Sequence, residues 1–209
     1  MDLDAIRSSL TERLDAKYKA RERGLPLCRN VVRHSANAIR AVHRRDREQA
    51  DELLAQGAAA LREADEAMSA HPDIRHAGFF HDAAKEYAEA RMTYALVFGL
   101  EFPTAGDIGV EPAAYLNGMG EAIGELRRHL LDLMRDGRLQ RSEELLSAMD
   151  DMYYLLIAMD YPDAMTGGLR RTTDVARSII ERTRGDLSTT LIQQGLKTAL
   201  DEATRRLRE

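Results

Sequence analysis

Apolar residues recur along this chain at intervals of three and four, the repeat of an α-helix, and no stretch shows the two-residue alternation of a half-buried strand. The first helical stretch runs from about Asp4 to Arg44. Gly24 and Pro26 interrupt it, which predicts either two helices or one kinked helix. Asp46 can cap a second helix reaching about Ser69, with Ala50, Leu53, Leu54, Ala58 and Leu61 on its apolar side. His71-Pro72-Asp73 breaks the pattern. A third helix to about Glu101 carries Phe79, Phe80, Ala83, Tyr87, Ala90, Tyr94 and Val97. Phe102–Glu111, with Pro103, Gly106 and Gly109, reads as a loop.

Pro112 suits the first turn of a fourth helix, whose stripe is Leu116, Met119, Ile123, Leu126, Leu130, Leu133 and Met134. Asp136-Gly137 ends it. Ser142 opens a fifth helix through about Met159, and Leu169–Arg184 forms a sixth. Gly185-Asp186 separates that one from a last amphipathic helix. The pattern therefore predicts an all-α bundle of about seven helices in one domain over 1–209.

Composition narrows the picture. Apolar residues are 44% and charged residues 31%, which excludes a disordered chain. The longest uncharged apolar runs, Met92–Leu100 and Met152–Met159, fall far short of the ~20 residues of a membrane-spanning helix. The N-terminus, MDLDAIRSSL, lacks the basic-then-apolar pattern of a signal peptide. A soluble, cytoplasmic protein is expected. The lone Cys28 excludes an intrachain disulfide and a multi-Cys zinc site. A net charge of −5 argues against a protein that is basic as a whole. Its cations are unusual, however: of 30 Lys and Arg only four are Lys (17, 19, 85 and 197). Arginine forks onto phosphates bidentately where lysine does not, although a G+C-rich genome would favour Arg codons equally.

Two helical edges concentrate carboxylates. Glu86 and Glu89 lie at i and i+3 in KEYAEA, with Asp82 one turn earlier, and Glu121 and Glu125 lie at i and i+4 in GMGEAIGEL. Gly118, Gly120 and Gly124 surround the second pair. Each costs ~1 kcal/mol against Ala inside a helix, so a close approach of backbone or ligand is expected there. If the two edges face each other, the carboxylates repel unless a cation sits among them. Hard oxygen ligands suit Mg²⁺ or Mn²⁺. Such an ion lowers the pKa of a bound water and steadies a phosphoryl oxygen, the chemistry of phosphodiester hydrolysis. The same spacing also suits solvated faces neutralised by Lys85 or Arg91.

These residues carry a resemblance. Lys85–Ala90 (KEYAEA) is similar to the Q-E-Y-V-E-A block of the translin family's TRAX branch, that of translin-associated factor X. Glu111–Arg128 (EPAAYLNGMGEAIGELRR) is similar to its T-P-V-D-Y-L-L-G-V-A-D-L-T-G-E-L-M-R, and Val42-His43-Arg44 to its L-H-R. The match extends from about residue 10 to 185. The resemblance implies a translin-like bundle assembled as homo-octamers that bind single-stranded RNA and DNA. For the TRAX branch it implies a Mg²⁺- or Mn²⁺-dependent endoribonuclease whose ligands fall on Glu86, Glu89, Glu121 and Glu125. Glu121 stands where that branch has Asp. A non-catalytic binder of single-stranded nucleic acid is the alternative. The family's nucleic-acid-binding stretch falls on the first helix, where Arg29, Arg33 and Arg40 recur at four and seven, with His43 and Arg44 at the end. A face neutralised by the acids of the second helix (Asp51, Glu52, Glu63, Asp65, Glu66) is the competing expectation. His76 and His81 are five apart, which misses the spacing of a helical zinc pair.

Overall fold

Pro26 does not break the first helix. In the computed structural model, which describes residues 2–208, α1 runs unbroken from Leu3 to His43 with Pro26 inside it. Asp2 caps it, its side chain accepting from the Ala5 N–H at 3.0 Å. A mid-helix proline costs about 3 kcal/mol. The neighbouring packing offsets this, because Gly24 is a contact and not a break: a Cβ there would come within 2.5 Å of Met68 Sδ.

Helix α2, Arg47–Met68, returns along α1 after a tight turn in which Arg45 takes a φ of 59°. Asp46 caps it as the sequence predicts, accepting from the Gln49 N–H at 3.1 Å. After the one-turn helix α3 (Pro72–Arg75) comes α4, Gly78–Phe98. It is buried on nearly every side from Ala83 to Ala95. The Tyr94 hydroxyl donates to Asp51 and accepts from Arg47 Nε at 3.2 Å, which ties α4 to α2. The expected loop at 102–111 contains a one-turn helix, α5 (Ala105–Ile108), held by a reciprocal Thr104–Asp107 capping box.

Helix α6, Pro112–Arg135, follows. Contacts divide the chain into two compact units, Met1–Gly118 and Met119–Glu209, and the division falls within this helix. In the first unit α1, α2 and α4 enclose a core that includes Val31, Val42, Leu54, Leu61, Met68 and Tyr87.

The second unit adds α7 (Leu139–Ala158), one-turn α8 (Asp163–Thr166) and α9 (Leu169–Arg208). Its core includes Ile123, Leu126, Leu130, Leu145, Met149 and Ile180. One helix starts earlier than the sequence predicts, α7 at Leu139, and one expected break is absent. Ser142 lies inside α7, buried, its hydroxyl donating to the Arg138 carbonyl at 3.1 Å. Gly185-Asp186 is continuous helix because Leu187 is buried in the core and Asp186 binds Arg127 at 2.7 Å. Arg127 also donates to the Thr183 hydroxyl at 2.9 Å. Among the described residues there are thus six long helices and three single turns, with no strand. No helix is long and apolar enough to cross a membrane.

Two helical glycines of the first unit differ in what surrounds them. A Cβ at Gly118 would meet the Lys85 carbonyl at 2.7 Å and the Glu89 nitrogen at 3.0 Å, both main-chain atoms that cannot swing away. Gly118→Ala is therefore expected to lose about 1–3 kcal/mol by overpacking, although Ala is the better helix former. Gly24→Ala meets only the flexible end of Met68, and its cost should be smaller. Urea denaturation of the two variants side by side checks the contrast.

Candidate functional site

Helix α4 carries Glu86 and Glu89 one turn apart. Glu89 is 9% exposed, and Glu86 is half-buried with Lys85 Nζ at 3.8 Å from its Oε1. Asp82 is exposed and stands apart from this buried edge. Between the two glutamates Tyr87 points into the core, and its hydroxyl accepts from Arg91 at 2.9 Å. A buried carboxylate is costly unless positive charge or donors match it.

The start of α6 lies directly against this turn of α4. Gly118 rests on the Lys85 carbonyl, Ala88 and the Glu89 nitrogen, the close approach expected of the small residues. Glu121 follows three residues later and Glu125 four after that, so both continue along the same side of α6. Both are half-buried. A Cβ at Gly120 would run into Thr172 of α9, while Gly124 has only an ordinary contact with Ile179. Carboxylates offer hard oxygens, which suit Mg²⁺ or Mn²⁺ and not a thiophilic metal.

On α1, Arg29, Arg33, Arg40 and Arg44 are exposed and His43 is half-buried. At 1.5 Å per residue the arginine row is about 22 Å long. The acids of α2 leave it alone. Asp51 binds Arg47 and Tyr94, Asp65 binds Arg75, and Glu52 accepts from Gln56. None of the four arginines pairs with a carboxylate among the described residues, so the expectation of a neutralised face does not hold. Their side-chain partners are neutral. Arg33 donates to Asn30 Oδ1 at 3.0 Å, Arg40 to Asn37 Oδ1 at 3.1 Å, and Arg44 to Gln49 Oε1 at 2.5 Å. The sequence signal for the two asparagines is a repeat seven residues apart, Asn30-Val31-Val32-Arg33 and Asn37-Ala38-Ile39-Arg40.

Cys28 is buried, and burial pushes its thiol up to about 11, which removes it as a nucleophile at neutral pH.

Fold and side chains together define an all-α protein with an acid-bearing helix edge and a separate, unneutralised arginine row. A scan against protein-family models finds no match. Solved structures agree with the fold. The AfC3PO–duplex RNA complex is 34% identical, covering 92% of this chain and 98% of that one with a TM-score of 0.81, and AfC3PO alone gives 0.80. Apo-NeC3PO, at 19% identity over 90% of this chain and 97% of its own, shares the fold with a TM-score of 0.74. The uncharacterized protein MJ0175 of Methanocaldococcus jannaschii is 29% identical over 175 residues, 83% of this chain and 77% of its own length. The chain belongs to the translin/C3PO family.

Proposed function

We propose that this protein is a TRAX-type endoribonuclease, in which Glu86, Glu89, Glu121 and Glu125 hold Mg²⁺ or Mn²⁺ and the α1 arginines hold single-stranded RNA. The observation that carries the reading is the seat of Gly118: with no side chain there, the α6 backbone lies on the turn of α4 that bears Glu86 and Glu89, and Glu121 is the next acid along α6. AfC3PO, which has been solved with duplex RNA, supports a polynucleotide partner. When bound, a hard divalent ion supplies Lewis-acid charge that activates water and offsets charge building on the phosphate. The chain's own contribution is to fix the carboxylates on two helices and to position the phosphodiester backbone with Arg29, Arg33, Arg40, His43 and Arg44. The working form is a homo-oligomer, near eight copies.

The test is cleavage of a labelled single-stranded RNA, with a duplex as comparison, in Mg²⁺, in Mn²⁺ and in excess chelator. Cleavage in metal alone supports the reading. Equal cleavage in chelator overturns it. RNA that is held but never cut assigns the chain to the non-catalytic binders.

The neutral tethers make a further expectation. Asn30→Asp and Asn37→Asp place a carboxylate where an amide oxygen now receives Arg33 or Arg40. Each should weaken RNA binding and lower the slope of affinity against salt by about one phosphate contact. Asn→Ala at the same positions keeps the charge and should leave the slope unchanged. Fluorescence anisotropy across a salt series checks both.

A further inference from the structure

The acid edge of α4 carries a cation of its own. Lys85 directly precedes Glu86 and stands one turn before Glu89, so it shares the edge that bears them. Its Nζ lies 3.8 Å from Glu86 Oε1. Successive residues on a helix point about 100° apart. The two side chains therefore bend toward a common place to come this close. The Lys85 side chain is 20% exposed, against 39% for Lys17, while Lys19 and Lys197 lie on the surface. It is thus the most buried lysine in a chain whose cations are otherwise almost all arginine. Its backbone is fixed as well, because a Cβ at Gly118 would come within 2.7 Å of the Lys85 carbonyl.

The residue type matters at this position. A guanidinium is wide and planar and forks onto a carboxylate, whereas an ammonium is a compact point charge on a flexible stem. At 3.8 Å the contact with Glu86 is beyond hydrogen-bond range, so the ammonium is attracted to that carboxylate without being locked to its oxygen. A charge held in this way neutralises the edge and can still be displaced. The family block that KEYAEA resembles has Gln at this place, which carries no charge to do either.

We propose that Lys85 is the resident counter-ion of the metal site: it neutralises the acid edge when no metal is bound, competes with the divalent ion, and so sets the metal concentration at which the site fills. The inference rests on the reading of Glu86 and Glu89 as metal ligands and concerns how that site is loaded. A divalent ion and an ammonium about 6 Å apart weaken each other's binding roughly tenfold in a water-like dielectric, and more where water is partly excluded. A trace of metal therefore leaves the edge to the ammonium.

The test is Mn²⁺ binding to the full chain by calorimetry, with the thermal midpoint followed in chelator and in Mn²⁺. Lys85→Gln and Lys85→Met should each bind Mn²⁺ roughly tenfold more tightly than wild type. Their thermal midpoints should fall in chelator and recover in Mn²⁺, because the acids that lose the ammonium gain the ion. A lysine that only packs against its neighbours would lower the midpoint equally in both conditions, and that result overturns the proposal. Lys85→Arg keeps the charge and should bind Mn²⁺ no more tightly than wild type; tighter binding there would trace the effect to shape and overturns it too. Lys19→Gln removes an equal charge from the surface and should leave the affinity unchanged. Mn²⁺ affinity that is equal or weaker in Lys85→Gln and Lys85→Met overturns the inference while the metal site stands. Absence of Mn²⁺ binding in wild type and variants alike overturns the metal reading itself, and this inference with it.

Discussion

Replacing Glu89 with alanine should reduce metal-dependent RNA cleavage by at least about a hundredfold. Loss of a group that only supports a metal ligand costs about 10–100-fold, and a ligand itself costs no less. Glu89 is the most buried of the four acids proposed as ligands. Its charge therefore interacts with a cation through the least water. Alanine is a good helix former and removes a buried charge, so the fold should survive. RNA binding should survive too, because the arginine row lies on α1. Single-turnover cleavage beside salt-dependent binding separates the two effects. Unchanged cleavage in this variant ends the nuclease reading. The comparison with Glu121→Asp is informative: it restores the shorter acid of the catalytic branch and should keep or raise activity.

The largest loss of stability is expected at Tyr87. It is 1% exposed, Gly57 packs on its ring, and Arg91 both stacks over it at 5.9 Å and donates to its hydroxyl. Truncating such a side chain costs about 3–5 kcal/mol. Domains are typically stable by only about 5–15 kcal/mol. Tyr87→Ala should thus lower the denaturant midpoint severely, whereas Tyr87→Phe loses only the hydroxyl bond, about 0.5–1.5 kcal/mol. Equilibrium unfolding with matched slopes checks the ranking. Tyr87 also anchors the turn that carries Glu86 and Glu89, so the alanine variant should lose cleavage through loss of fold.

The periodicity of apolar residues was enough to place every long helix, because burial of one face is what each helix needs and what the spacing records. Ends and breaks were harder to read. Gly24 and Pro26 look like punctuation, but Gly24 is there to admit Met68. Gly185-Asp186 looks like a turn, yet Leu187 and the Arg127–Asp186 pair hold the helix straight through it. In each case a long-range contact outweighs a local preference, and such contacts leave no local trace. The acidic edges were legible as i,i+3 and i,i+4 pairs. The partners of the arginine row were not, since charge composition alone could not reveal that the acids of α2 turn to Arg47 and Arg75.

The buried, protonated state of the only native sulfhydryl has a practical consequence. A cysteine placed anywhere on the surface would be the one group in the chain that reacts with a maleimide at neutral pH. Dye or spin labels can therefore be attached one position at a time to the native background, without first deleting a residue from the core.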